Sequence, residues 1–176
     1  AFSPSGVGNN PPVRQVYDKI AVVRHAPRLN SGRVEGTLWQ LTGENVLLVS
    51  GPLHDDRAIA AALRSWLADL AQHQLGNELA KVAAEGGFRY ARTQIRRQRT
   101  RWGSCSASGT ISLNVCLLFL RPQVVRYLLL HELCHTRHMN HSAKFWALVE
   151  SFEPDYRALD QELLRGWQSV PGWMFS

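Results

Sequence analysis

The stretch Pro122-Gln123-Val124-Val125-Arg126-Tyr127-Leu128-Leu129-Leu130-His131-Glu132-Leu133-Cys134-His135 decides how the rest of the chain must fold. Pro122 suits the first position of a helix, and the segment predicts one running to about His138. Val124, Val125, Leu128, Leu129, Leu130 and Leu133 make that helix apolar on most sides, so it must be buried. Within it His131 and His135 stand about 40° apart around the axis and about 6 Å along it. Their imidazoles therefore project from one face and can bind one ion, with Glu132 beside the first of them. Two histidines and a glutamate in a buried helix are costly unless something satisfies them, and a metal ion does so. On a surface helix the same residues would be an ordinary polar pair.

A catalytic zinc site needs a third protein ligand and an open fourth position. Three residues downstream offer themselves. His138 would continue the helix, but about 10 Å along the axis from His131, which strains convergence. His141 follows Asn140, a residue that tolerates the left-handed conformation ending many helices, and a turn at Met139-Asn140 would swing it back. Glu150, on the next predicted helix, is the third. Geometry favours His141. The expected cofactor is one Zn2+ per chain, which acidifies its bound water to a pKa of about 7 and polarises a carbonyl. Glu132 would then be the general base, which makes the chain a zinc-dependent hydrolase.

Outward from this helix, the chain reads as α+β. Residues 20–23, 34–41 and 45–50 read as strands, with a hairpin turn at Thr42-Gly43-Glu44. A helical pattern follows over residues 55–82, where Gly76 is a point of kinking or division and Gly86-Gly87 ends the region. Residues 88–98 read as a strand, 100–108 as a polar loop and 110–120 as a second strand. Ser142 is placed to cap a helix ended by Pro154, and Asp155 to cap a last one that stops at Gly166.

The chain has 176 residues, enough for one domain with a real core. Residues 1–12 have the composition of a disordered leader, and residues 13–170 make one domain. Its strands and long helix occupy 13–87 and its catalytic part 88–166. No apolar run is long enough to cross a membrane, and no segment reads as a secretory signal. Cys105, Cys116 and Cys134 form no framework of disulfides, which points to a reducing compartment and a cytoplasmic protein. The net charge is +6, and no Asp or Glu occurs from Gly86 through His131. The arginines from Arg89 to Arg101, with Phe88, Tyr90 and Trp102 interleaved, suit a phosphate backbone such as DNA. The plainer reading is a solvated strand face paired with acids elsewhere.

Four motifs in order carry a resemblance. These are Thr100-Arg101-Trp102-Gly103-Ser104-Cys105-Ser106, Gly109-Thr110-Ile111-Ser112-Leu113-Asn114, His131-Glu132-Leu133-Cys134-His135, and Asn140-His141-Ser142-Ala143-Lys144-Phe145-Trp146. Together they resemble the YgjP-like family of metallopeptidases, zincin-like proteins similar to SprT and Wss/WLM-type proteases. The match is close over residues 88–164 and looser before. It implies a minimal zincin-like fold, a small mixed or antiparallel sheet over an active-site helix, with C-terminal helices. It also implies a zinc metallopeptidase with His131, His135 and His141 as ligands and Glu132 as base.

By the same resemblance, the strand from Thr110 to Val115 would be the edge of the cleft and hold an extended peptide through Ser112, Leu113 and Asn114. Arg101 would stand at the rim. Tyr156 and His138 are candidates to donate to the oxyanion of the transition state. Tyr127 and Cys134 read as core, and Phe145 and Trp146 as packing between helices. The chain departs from metzincins, with His138 where they have glycine and no Met-turn. The resemblance to SprT proteases supports DNA as a partner besides peptide or protein. A non-catalytic module with a closed structural zinc, or one that binds nucleic acid, is the alternative.

Overall fold

The computed structural model describes residues 55–175 and, before them, the backbone of four strands. These are β1 (Ile20–Val22), β2 (Arg33–Val34), β3 (Thr37–Leu41) and β4 (Leu47–Ser50), in the sheet order β1-β4-β3-β2. β3 and β4 pair antiparallel with Leu41 opposite Leu47, as the expected hairpin requires, and β1 runs parallel to β4. The turn residues 42–44 and the leader 1–12 lie outside the described residues.

Asp55 starts the long helix α1 (Asp56–Gly86) by accepting the N–H groups of Arg57 and Ala58 on its carboxylate, at 2.9 and 3.3 Å. The helix is continuous through Gly76 and passes Val82, where the pattern was expected to stop. An interior glycine costs only about 1 kcal/mol, and the buried Leu75, Leu79, Val82 and Ala83 around it outweigh that. α1 ends at Gly87, whose φ of 61° is the left-handed conformation that closes helices.

The second sheet consists of β5 (Arg92–Arg96), β6 (Gly103–Cys105) and β7 (Thr110–Asn114), in the order β5-β7-β6. β5 is parallel to β7 and β6 antiparallel to it. Three expectations are corrected here. The strand expected from Phe88 starts only at Arg92, because the N–H of Phe88 is spent on Ala83 at the close of α1 and its ring is buried. The polar loop 100–108 contains β6, returned to β7 by a turn at Ser106–Gly109 in which Gly109 takes a φ of 76°.

The strand expected through Leu120 stops at Asn114. Its Oδ1 accepts the N–H of Cys116 at 3.0 Å and starts a 3-10 turn over Val115–Phe119. Its Nδ2 donates to the carbonyls of Gln98 and Arg101, both at 2.7 Å, and so ties down the loop before β6. A short apolar run such as Val115–Leu118 is buried equally well by strand or helical turn, and the Asn114 side chain makes the choice.

α2 (Pro122–Cys134) packs against α1, β6, α3 (Ala143–Phe152) and α4 (Tyr156–Arg165), so it forms the spine of the molecule. It ends four residues before the expected His138. Thr136 turns back on the Leu133 carbonyl through both its N–H and its hydroxyl, at 3.0 and 2.7 Å. Ser142 caps α3 through the N–H of Phe145, whereas Asp155 precedes α4 without a capping bond from its side chain. Among the described residues no helix is long and apolar enough to cross a membrane. Asn114→Ala leaves two carbonyls and one N–H without their partner, and a loss of about 3 kcal/mol in urea unfolding is expected. A loss below about 1 kcal/mol would remove this residue's role.

Candidate metal centre

The last turn of α2 presents His131 and His135, and the chain bends at Met139 and Asn140 before His141. This bend returns His141 to the helix, and the ring nitrogens of the three histidines lie within 4.8 Å of one another. The Nε2 atoms of His131 and His141 are 3.0 Å apart. Ligand nitrogens of a tetrahedral zinc ion sit about 3.3 Å apart, given Zn–N bonds of about 2.0–2.1 Å, so the His131–His141 pair is near that spacing and the third imidazole stands within a small adjustment of it. His135 is buried, His131 half-buried and His141 exposed, which leaves the group open on one side.

Hydrogen bonds select which ring nitrogen faces inward. His135 Nδ1 lies 3.1 Å from the His138 carbonyl, which only accepts, so Nδ1 carries the hydrogen and Nε2 the lone pair. His131 Nδ1 lies 3.5 Å from the Tyr127 hydroxyl, which itself donates to Asp160 at 2.8 Å. Burial, reinforced by His135 and His141, pushes His131 down to about 3, and burial also lowers His135. Both rings are therefore neutral in neutral solution, the state in which imidazole binds a cation.

The rings rest on an aromatic floor that sequence reasoning took only for helix packing. Phe145 is wholly buried, and its centroid lies 4.9, 4.5 and 4.8 Å from those of His131, His135 and His141. Trp146 stacks on His141 at 5.5 Å and 22°, bracing the exposed ligand candidate. The signal was present: Ser142 at the cap puts Phe145 and Trp146 in the first turn of α3, immediately after His141. Tyr127 is fully buried, as expected of a core residue, and its hydroxyl lies 3.5 Å from His131 Nδ1. Cys134 is wholly buried, as its place on the helix implied.

Glu132 is 4% exposed, and its Oε2 has no hydrogen-bond partner. Burial raises its carboxyl to about 8. β6 crosses directly above it. A Cβ on Gly103 would stand 2.6 Å from Glu132 Oε1, so any larger residue there would have to displace the Glu132 side chain. Cys105, on the same face of β6 as Gly103 by strand alternation, has its thiol raised by burial first and by the Glu132 charge second.

The expected cleft edge is corrected. β7 is the central strand, with β5 on one side and β6 on the other, so it has no free edge to offer a peptide. Leu113 is buried in the core, Asn114 is the latch described above, and Ser112 pairs with both Gln94 and Ser104. Arg101 is exposed before β6, and its carbonyl is held by Asn114. Tyr156 is buried and stacks on Trp146, one ring removed from His141, with Arg157 over its face. His138 contributes its backbone carbonyl to His135, and Glu150 is paired with Arg157; neither joins the cluster.

From Arg89 to Arg101, no arginine forms an ion pair with an acid among the described residues. Arg92 donates to Thr110, Arg96 to Gln94 and Arg99 to the Phe175 carbonyl. The pairing with acids that the plainer reading anticipated is thus not found there. The acid pairs of the basic region fall later, Arg121 with Glu162 and Arg126 with Glu85.

Two solved structures are similar in part. One is the metallopeptidase zymogen abylysin of Pyrococcus abyssi, at 25% identity and a TM-score of 0.49, covering 54% of this chain and 96% of that one. The other is the zymogen jannalysin of Methanocaldococcus jannaschii, at 16% and 0.47, covering 52% and 95%. No curated protein matches the chain. The model of the YgjP-like metallopeptidase domain matches residues 19–165, most of the sequence, and contains every element of the site. The chain belongs to the YgjP-like metallopeptidase family.

Proposed function

We propose that the chain is a zinc peptidase in which His131, His135 and His141 hold one zinc ion through Nε2 and Glu132 is the general base. The observation that carries this reading is the convergence of three imidazoles at the end of a helix that also carries a buried carboxylate oxygen without a partner. Zinc, when bound, supplies Lewis acidity towards a substrate carbonyl and an acidified water. Glu132 takes the proton of the attacking water at Oε2 and returns it to the amine nitrogen as the C–N bond breaks. A bound dication would lower the buried carboxyl from its position in the metal-free chain, so Glu132 would start the cycle ionised.

A structural, closed site fits less well. It would draw a fourth protein ligand, usually cysteine. None of the three free cysteines joins the cluster, and burial raises the thiols of Cys116 and Cys134 to about 12.

Substrate pairs with the outer edge of β6. Asn114 N donates to Trp102 O, and Ser106 N to Thr110 O, at 2.8 and 2.9 Å. Antiparallel pairs alternate, so Gly103 and Cys105 direct their N–H and C=O groups away from β7. An extended peptide laid along them passes over Glu132 and continues the sheet.

Glu132→Gln should lower kcat/KM by about a thousandfold or more and leave one zinc per chain, measured by peptide hydrolysis and metal analysis. In zinc-free protein the same variant also reports the buried carboxyl. Its folded value, about 8, lies above the ordinary 4.5, so its stabilising proton is fully present below pH 4.5 and lost as pH rises to 8. The Tm advantage of the glutamine variant should therefore grow between those limits; a flat difference contradicts the buried, unpartnered carboxylate. For the edge, a peptide N-methylated singly along its backbone should lose about tenfold in kcat/KM at alternate residues. Equal tolerance at every position would sink the strand-pairing account.

A further inference from the structure

His131 is oriented by a side chain that comes from the far end of the sequence. Tyr127 lies one helical turn before it on α2, and its hydroxyl donates to Oδ1 of Asp160 on α4 at 2.8 Å. A phenol has a single proton. With that proton committed to a carboxylate, the hydroxyl turns a lone pair towards His131 Nδ1, 3.5 Å away. Nδ1 must then carry the hydrogen of the neutral ring, and its lone pair sits on Nε2, which faces His141 at 3.0 Å. Rotation is fixed too, because Tyr127 meets the ring edge-on at 5.9 Å while Phe145 closes the other contact at 4.9 Å.

The three histidines differ in what holds them. His135 is set by the carbonyl of His138, a backbone group that no substitution removes. His141 is braced by Trp146 and has an exposed edge. His131 alone of the three is oriented through a chain of side chains that ends in a charge. We infer that Tyr127 and Asp160 are positioning residues of the metal centre, and that α4 governs metal affinity through the Asp160–Tyr127–His131 chain. This rests on the ligand role proposed for His131. A carboxylate acting on a ligand imidazole through a hydrogen bond raises its basicity, and losing such a partner typically weakens metal binding about 10–100-fold. The competing role, in which the Tyr127–Asp160 bond merely docks α4 on α2, would alter stability and leave the imidazole untouched.

The test uses the full chain with Tyr127→Phe and Asp160→Asn, alongside His131→Ala as the control that removes the ligand. Zinc affinity is measured by competition with a chromophoric chelator at neutral pH, and the 15N shifts of the His131 ring nitrogens are read in zinc-free protein. Wild type should show hydrogen on Nδ1, and Tyr127→Phe a mixture of both tautomers. The zinc Kd should rise about 10–100-fold in Tyr127→Phe and about tenfold in Asp160→Asn, where the amide keeps an acceptor but loses the charge. Tight wild-type binding, with both variants within about threefold of it and an unchanged tautomer, overturns the inference. Wild type that binds no zinc, or binds as well as His131→Ala, instead overturns the ligand reading on which it rests. Should Tyr127→Phe fail to fold, the zinc Kd and ring shifts of Asp160→Asn decide between the two roles alone.

Discussion

Among the described residues, strand, loop and helix meet around one awkward requirement: the C-terminal end of α2 is largely buried and carries two imidazoles and a carboxylate. Apolar surroundings do not hydrogen-bond such groups, and leaving them unsatisfied costs several kcal/mol. The fold answers in two ways. Each buried histidine has one nitrogen tied off, to the Tyr127 hydroxyl or to the His138 carbonyl, and the other turned towards His141. Glu132 receives no such partner, and its Oε2 stays unsatisfied beneath β6. A carboxylate left in that state is a stability cost, of the kind proteins tend to retain at functional sites, which accords with the role proposed for Glu132.

The surrounding architecture follows from this. β6 lies across Glu132 without displacing its carboxyl because residue 103 has no side chain. Asn114 then holds the loop before β6 from beneath, through the carbonyls of Gln98 and Arg101. Phe145 makes a floor for all three imidazoles, and Ser142 places it there by capping α3 one residue after His141. Strand, loop and helix thus converge on one turn of α2. Membership of the YgjP-like metallopeptidase family agrees with a core built for that purpose.

Much of this was legible in the residues because it depends on short-range rules. The i,i+4 spacing of His131 and His135, the turn before His141, the cap at Ser142 and the stop at Gly87 all act within a few positions of one another. What was not legible depends on partners far along the chain. Gly103-Ser104-Cys105 is too short for alternation to reveal a strand, and only its pairing with residues 111–113 makes it one. That hidden strand also misassigned the cleft, because without β6 the segment Thr110–Asn114 looks like the edge. The halt of β7 at Asn114 follows from a side chain competing for backbone bonds, which apolar periodicity does not record. Asp160 carries no local signal at all, since its importance lies in reaching Tyr127 from another helix.

Above all, three histidines and no cysteine are proposed to hold a zinc ion with one position left open. Diffraction data collected on either side of the zinc absorption edge, on crystals of the zinc-loaded chain, bear on this without intermediate steps. One anomalous peak per chain is expected, about 2.0–2.1 Å from Nε2 of His131, His135 and His141, with solvent at the fourth position. No peak among those nitrogens, or a fourth ligand supplied by the protein, would contradict it.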